Sequence, residues 1–449
     1  MNPDIFREYD IRGVAGKDLT AKVAEQIGKA YGTMAVKKRV SKVAVGRDCR
    51  LSGPRLVAAL IKGIRSTGVD VIELGMVPTP VVYFSLFTLP IGGAIQVTGS
   101  HNPPEYNGFK ICFNKTTIHG KDIQQIRQII ETGKFQKGKG SVEKYDIVPE
   151  YKAYLKDNIH LERSVKVVLD AGNGAGGWIA APLFRSLGCK VKAMYCKPDG
   201  RFPHHMADPT VEKNLDDLIK AVKKEKAELG IAYDGDADRI GVVDNRGKII
   251  WGDMLLVLFA RDILRDHPGA KIIGEVKCSD NLYDDIAKHG GEPIMWKTGH
   301  SLIKAKMKTS KALIAGEMSG HMFFADRYFG YDDAIYASLR LVEFLSRSRK
   351  RISSHLSDIP KTYATPEIRV PVADDKVKFS IVQKAKRRFA KEFDVSTVDG
   401  VRIRFPEGWG LVRASNTQPI LVTRYEATSR KALREIQRFV ETEIAKFNK

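Results

Sequence analysis

The 449 residues are 43% hydrophobic and 28% charged, which excludes a disordered chain and leaves apolar material for about two to four domains. Lysine and arginine total 74 against 53 aspartates and glutamates, a net charge of +21. That surplus points to an anionic partner, whether nucleic acid, membrane surface or small anion, and composition alone does not choose.

The opening segment MNPDIFREYDIRG carries charge throughout and lacks the apolar run of a signal peptide. Residues 42–48 (KVAVGRD) read as a strand, 54–68 as an amphipathic helix ending at glycine, and 69–75 as a second strand. From 74 to 100 no residue is charged. Pro78, Pro80, Pro90, Gly92 and Gly93 make buried strands and turns the expectation there, not a membrane span. A third strand lies within 92–100, and 121–133 is helical. The rhythm restarts at 165–177, followed by a helix through Leu187, a strand at 189–196 and a helix at 215–227. Residues 228–250 read as two strands flanking an acidic loop. A third block starts near Asp253 with a helix, continues through a strand at 270–276 and a helix at 301–310, and closes with 332–350. Beyond 361–370 the pattern changes to a helix (378–393), strands at 401–405 and 411–415 around a turn, and a final helix (429–447).

Three blocks alternating strand and helix imply successive mixed α/β domains with largely parallel pairing, followed by a C-terminal α+β domain. The expected boundaries are 1–147, 148–251, 252–362 and 363–449, with a proline-containing linker near 360–366. Five scattered cysteines without a CxxC pair argue against a zinc site or disulfide framework and for a reducing compartment. The expected location is the cytoplasm, with no membrane partner.

Four loops carry chemical groups. In TGSHNPPEYNGFK (98–110), Ser100 leaves a strand, where a hydroxyl suits a nucleophile or phosphate carrier. A plain Ser/Asn/Pro-rich turn has the same composition. In AYDGDADRIGVV (232–243), Asp234, Asp236 and Asp238 alternate with small residues, so their carboxylates can converge on one hard cation such as Mg²⁺. An EF-hand calcium loop requires glycine and glutamate where Arg239 and Asn245 stand. AGEMSGH (315–321) places Glu317 and Ser319 two residues apart, facing one way on an extended segment to grip adjacent hydroxyls of a polyol. In LVRASNTQP (411–419), Arg413, Ser415, Asn416 and Thr417 offer a guanidinium fork, hydroxyls and an amide, the makings of a phosphate cradle.

Residues 172–177 (GNGAGG) satisfy the dinucleotide-binding pattern G-x-G-x-x-G, which makes an NAD-dependent oxidoreductase the rival from another class. The strand after it ends without the acidic ribose ligand, and Asp199 comes only beyond Pro198. Helix-on-strand packing accounts for these glycines. The basic stretches 36–42 and 383–393 lack aromatic interleaving, so they read as solvated surface and not as a nucleic-acid site.

Taken in order, TGSHNP, DGDADR and GEMSGH, with FREYDIRG (6–13) and TGHS (298–301), resemble the α-D-phosphohexomutase family, especially its bacterial and archaeal phosphomannomutase/phosphoglucomutase members. The resemblance spans nearly the whole chain and implies four domains around a central active-site cleft, each contributing one loop. It implies an isomerase that interconverts hexose 1-phosphate and hexose 6-phosphate of mannose, glucose or both. Phosphoserine at Ser100 and hexose 1,6-bisphosphate, which is both intermediate and activator, carry the transfer. One Mg²⁺ per active site would be held by Asp234, Asp236, Asp238 and Ser100. Catalytic roles would fall to Ser100, Lys110, Arg12, Arg239 and His321, with Lys110, Arg12 or His321 assisting proton movement. Substrate binding would fall to Tyr9, Lys277, His300, Glu317, Ser319, Arg413, Ser415, Asn416 and Thr417. Phosphoglucosamine mutases of this family commonly carry glutamine where Met318 stands, so Met318 favours mannose and glucose over that alternative. Gly99 replaces the alanine found in many members and is expected to loosen the backbone beside Ser100. The tail is expected to close over bound substrate.

Overall fold

The computed structural model describes residues 1–415 and 420–447. In the first domain, strands β1 (Ile11–Val14), β2 (Lys42–Arg47), β3 (Asp70–Met76), β4 (Gly93–Val97), β5 (Tyr106–Phe113), β6 (Thr116–Thr117) and β7 (Val142–Lys144) form one sheet. Its order is β1-β5-β4-β2-β3-β7, with β6 beside β5. Strands β4, β2, β3 and β7 run parallel, whereas β5 is antiparallel to β4 and β1. Helices α1 (Ala21–Lys37), α2 (Gly53–Arg65), α3 (Thr79–Thr88) and α4 (Lys121–Thr132) connect them. Helix α1 is an element the sequence pattern did not supply; Thr20 starts it by accepting from the Val23 N–H.

The uncharged stretch departs from expectation. Its middle is helix α3, not strand and turn. Proline in a first turn costs no hydrogen bond, so Pro80 is accommodated at the start of this helix. Its residues from Thr79 to Leu86 are buried on every side, which removes the one-sided periodicity that marks a surface helix.

The second domain begins with α5 (Val148–Asn158) and contains β8 (Lys166–Asp170), α6 (Gly177–Ser186), β9 (Lys190–Met194), α7 (Asp216–Glu225), β10 (Leu229–Tyr233), β11 (Ile240–Asp244) and β12 (Ile249–Ile250), ordered β12-β11-β10-β8-β9. The third contains α8 (Gly252–Asp266), β13 (Lys271–Glu275), α9 (Asp280–Lys288), β14 (Glu292–Trp296), α10 (His300–Ser310), β15 (Ile314–Gly316), β16 (Met322–Phe324) and α11 (Ala334–Ser346), ordered β14-β13-β15-β16. In both, parallel strands are followed by one antiparallel strand, β11 or β16. The tail is an antiparallel sheet of β17 (Tyr363–Ala364), β18 (Ile368–Pro371), β19 (Val395–Ser396), β20 (Val401–Phe405), β21 (Gly408–Ala414) and β22 (Ile420–Ala427), packed with α12 (Asp375–Phe389) and α13 (Arg430–Ala445). This is the α/β, α/β, α/β, α+β succession read from the sequence.

One apolar core runs through the first three domains, joining Val81 and Phe84 of α3 to Val167 and Phe184 of the second domain and Leu256 and Leu339 of the third. The tail has its own core around Phe389, Val401, Tyr425 and Val440. The first three domains are therefore welded together, while the fourth meets the third through a smaller buried cluster of Val276, Trp409 and Leu411 and through Arg402, which donates to Val276 O and Cys278 O. Among the described residues no helix is long and apolar enough to cross a membrane.

Candidate active site

The same junction recurs in the first three domains: the loop between the last parallel strand and its antiparallel neighbour. Residues 98–105 join β4 to β5, 234–239 join β10 to β11, and 317–321 join β15 to β16. These are the serine, acidic and Glu317 loops. The fourth loop lies between β21 and β22, and its Asn416 and Thr417 fall outside the described residues.

Ser100 is buried in left-handed backbone, φ +49°, an uncommon conformation for serine that its surroundings must hold in place. Asp48 and Arg50 hold it. One Asp48 oxygen accepts from Thr98 Oγ1 at 2.7 Å and from the Gly99 N–H at 3.2 Å. The Arg50 guanidinium, also buried, donates to Ser100 O at 2.8 Å, Asn102 O at 2.5 Å, Tyr106 O at 2.9 Å and Pro103 O. Gly99 does not loosen this loop as expected: a Cβ there would lie 2.5 Å from the guanidinium and 2.9 Å from Tyr106 O, so Arg50 fills the space.

Ser100 Oγ donates to Asp234 Oδ2 at 2.9 Å, bringing the first domain's hydroxyl onto the second domain's acidic loop. Ser100 Oγ also lies 3.2 Å from His101 Nδ1, on an imidazole that burial and then Arg239, Arg12 and Lys110 hold neutral. Asp234, Asp236 and Asp238 are wholly buried, and an oxygen from each lies within 4.8 Å of the others. Burial, then Asp238 and Asp236, push Asp234 well above the usual carboxylate range. Asp236 goes the other way: burial would raise it, but the ammonium of Lys110 outweighs that and holds it low. Lys110 Nζ lies 2.7 Å from Asp236 Oδ2 and also contacts Asp238. Burial favours its neutral form, yet these carboxylates keep it a firm ammonium.

Asp236 Oδ1 and Asp238 Oδ1 are buried with no hydrogen-bond partner. Buried carboxylate oxygens without a donor are costly, and neither Lys110 nor Arg239 supplies one to these two atoms. Such an all-oxygen donor set fits a hard divalent cation. The trio can hold a metal.

Around it stand further groups read from the sequence. Arg239 Nε donates to His321 Nε2 at 3.0 Å, and Arg12 reaches Asn102 of the serine loop at 3.3 Å while pairing with Asp10 at 2.6 Å. His321 and His300 are stacked 5.7 Å apart, leading to a second group of residues. There Glu317 Oε1 accepts from the Gly299 N–H at 2.7 Å, and Tyr9 donates to Thr298 O at 3.0 Å. Lys277 lies 3.1 Å from Glu367, and Arg413 lies 3.0 Å from Asp399, which also accepts from the Thr298 N–H. Ser415 is buried beside them at the end of β21. Glu317 and Ser319 sit in a turn, not on an extended segment as expected; Gly320, at φ +91°, turns the chain back from β15 to β16.

The GNGAGG turn has a structural task. The Ala175 N–H donates to Gly235 O at 2.9 Å, and a Cβ on Gly174 would lie 2.8 Å from that oxygen and 3.0 Å from Asp234 O. The turn therefore cradles the acidic loop, leaving the dinucleotide reading without its pyrophosphate site. Sequence reasoning passed over Asp48, Arg50, Lys304, Asp332 and Asp399. The signal available for the first two was a pair of charges where a buried strand enters a loop; the others become visible only through long-range contacts.

Matches to known proteins cover this whole arrangement. Residues 3–137, 149–247 and 251–363 match the models for phosphoglucomutase/phosphomannomutase alpha/beta/alpha domains I, II and III, and 367–443 match the C-terminal domain. A phosphomannomutase/phosphoglucomutase of Pseudomonas aeruginosa is 50% identical over 435 residues, 96% of this chain and 94% of that protein. A phosphoglucomutase of Neisseria meningitidis is 46% identical over 97% of this chain and 95% of its own. The crystal structure of a phosphoglucomutase/phosphomannomutase family protein from Burkholderia thailandensis superposes with a TM-score of 0.93 at 44% identity, over 98% of each chain. The chain thus belongs to the phosphoglucomutase/phosphomannomutase family.

Proposed function

We propose that the protein is an intramolecular phosphotransferase interconverting the 1- and 6-phosphates of mannose and glucose through phosphoserine at Ser100. The observation that carries this reading is the 2.9 Å contact from Ser100 Oγ to Asp234, because it seats a strained hydroxyl on a cation-binding trio. A hexose-phosphate hydroxyl attacks the phosphorus carried on Ser100, the bond to Oγ breaks, and the hydroxyl proton passes to the protein. Hexose 1,6-bisphosphate results. After the sugar turns around, Oγ attacks the other phosphorus, its bond to the sugar oxygen breaks, that oxygen takes the proton back from the protein, and phosphoserine re-forms beside the isomeric monophosphate.

The residues divide this work by chemistry. Lys110, held as an ammonium, together with Arg12 and Arg239, neutralises phosphoryl oxygens, and His321 is the neighbouring proton carrier. Mg²⁺ held by Asp234, Asp236, Asp238 and Ser100 oxygen would neutralise phosphate charge. Glu317 and Ser319 hold ring hydroxyls. Tyr9, Lys277, His300, Arg413, Ser415, Asn416 and Thr417 receive the phosphate that is not reacting. In this reading the four functional units are 1–147, 148–251, 252–362 and 363–449, and the enzyme works in the cytoplasm on small hexose phosphates, without nucleic-acid or membrane partners.

The test is a mutase assay with Mg²⁺ and a trace of hexose 1,6-bisphosphate, offering mannose 1-phosphate, glucose 1-phosphate and glucosamine 1-phosphate. Turnover of the first two, little of the third, and a loss of at least about a hundredfold in Ser100→Ala are expected. Preference for glucosamine 1-phosphate would overturn the sugar assignment.

A further inference from the structure

Behind His321 lies a wholly buried carboxylate to which the reaction above gives no task. Asp332 stands just ahead of α11, and its Oδ1 accepts from Lys304 Nζ of α10 at 2.9 Å. Its Oδ2 faces two imidazoles: His321 Nδ1 at 3.1 Å and His300 Nδ1 at 3.6 Å. These three atoms are buried with no hydrogen-bond partner, and His321 Nδ1 also lies 3.7 Å from Asp238 Oδ1, so Asp332 Oδ2 is the nearer of the two carboxylate oxygens it faces. Burial opposes ionisation of Asp332, but Lys304 and then the two histidines outweigh it and keep the group a carboxylate.

The other side of His321 fixes where its proton sits. Arg239 is always protonated, so its Nε–H donates and His321 Nε2 must accept. A neutral His321 then carries its proton on Nδ1, the nitrogen 3.1 Å from Asp332 Oδ2. A second cation bridging Asp238, His321 and Asp332, whose ligand atoms also lie within 4.8 Å, fits poorly. Metal on Nδ1 would require the proton on Nε2, against the Arg239 N–H, and Lys304 already neutralises Asp332.

We propose that Asp332 is a positioning residue that, from behind, locks His321 in the Nδ1–H form and leaves Nε2 bare on the Arg239 side. Lys304 anchors Asp332, and His300 packs against the same oxygen, so one carboxylate orients both rings of the stack. The inference rests on the proton-carrying role given to His321: a carrier whose bare nitrogen points the wrong way is idle. An orienting carboxylate of this kind acts through the imidazole without touching substrate.

The test uses full-length protein labelled with ¹⁵N in its histidine rings, with the His321 signal assigned by its loss in His321→Gln. The wild-type ring should show protonated Nδ1 and bare Nε2. In Asp332→Asn the two forms should mix, with kcat down about a hundredfold or more and KM within about threefold. Asp332→Glu should recover part of kcat. A wild-type His321 protonated on Nε2 overturns the proposal even if Asp332→Asn does not fold. So does an Asp332→Asn protein with wild-type kcat. Full activity in His321→Gln instead removes the role of His321 itself, which separates failure of the functional reading from failure of this inference.

Discussion

Ser100 holds its strained backbone because neighbouring charges leave it no alternative. Arg50 spends four contacts on carbonyls of the serine loop, and Asp48 spends two on Thr98 and Gly99. A methyl group at residue 99 would enter space the guanidinium occupies, and the guanidinium is tied down too firmly to retreat freely. Gly99→Ala should therefore lose about 1–3 kcal/mol of stability and lower kcat, as shown by denaturation and the mutase assay. Unchanged stability and kcat would mean that Arg50 has room to move. Ser100 and the aspartates are legible in the sequence because each stands in a short loop of chemically distinctive residues, TGSHNP and DGDADR. The clamp is not, since Asp48 and Arg50 precede Ser100 by some fifty residues and meet it only through the β2–β4 pairing.

At the scale of elements, each functional loop of the first three domains closes a parallel run onto an antiparallel strand. The α/β alternation could be read from periodicity, whereas α3 could not, being apolar on all faces. The GNGAGG turn is legible as a strand-to-helix turn, but its partner across space, the acidic loop, leaves no trace in local sequence. Gly174→Ala should push that loop outward and raise the Mg²⁺ concentration needed for half-maximal activity several-fold; an unchanged Mg²⁺ dependence would argue against the cradle.

Helix α11 carries a separate pH effect. Asp333 caps it by accepting from the Tyr336 N–H, and also accepts from Tyr151 and Tyr328, tying the third domain to the second. Burial raises its carboxyl to about 6, more than these hydrogen bonds lower it. Between pH 4 and 6, roughly, the folded chain binds a proton here that the unfolded chain releases, so this contribution to stability is lost as pH rises. Its full size is about 3 kcal/mol. The stability of Asp333→Asn relative to wild type should accordingly increase from pH 4 to 6 in denaturant titrations. A constant difference would contradict the shift.

At the scale of the molecule, a continuous core welds three domains while the tail keeps its own. Asp399 of the tail, paired with Arg413, accepts from the Thr298 N–H of the third domain, and closure of the tail over a sugar phosphate would act across this contact. Small-angle scattering should show a smaller radius of gyration with hexose 1,6-bisphosphate than without; identical curves would count against closure. Arg12, Lys110, Lys277 and Arg413 are each paired with carboxylates, so the surplus of +21 lies mostly elsewhere, where it suits steering of an anionic substrate. In the proposed reaction everything depends on Ser100 carrying the phosphoryl group. Its most direct test is a single turnover in which enzyme is incubated with labelled hexose 1,6-bisphosphate and its peptides are examined by mass spectrometry. Label is expected on Ser100 and is expected to pass back to added hexose monophosphate. Mutase turnover at the wild-type rate in Ser100→Ala, with no label on residue 100, would contradict this expectation.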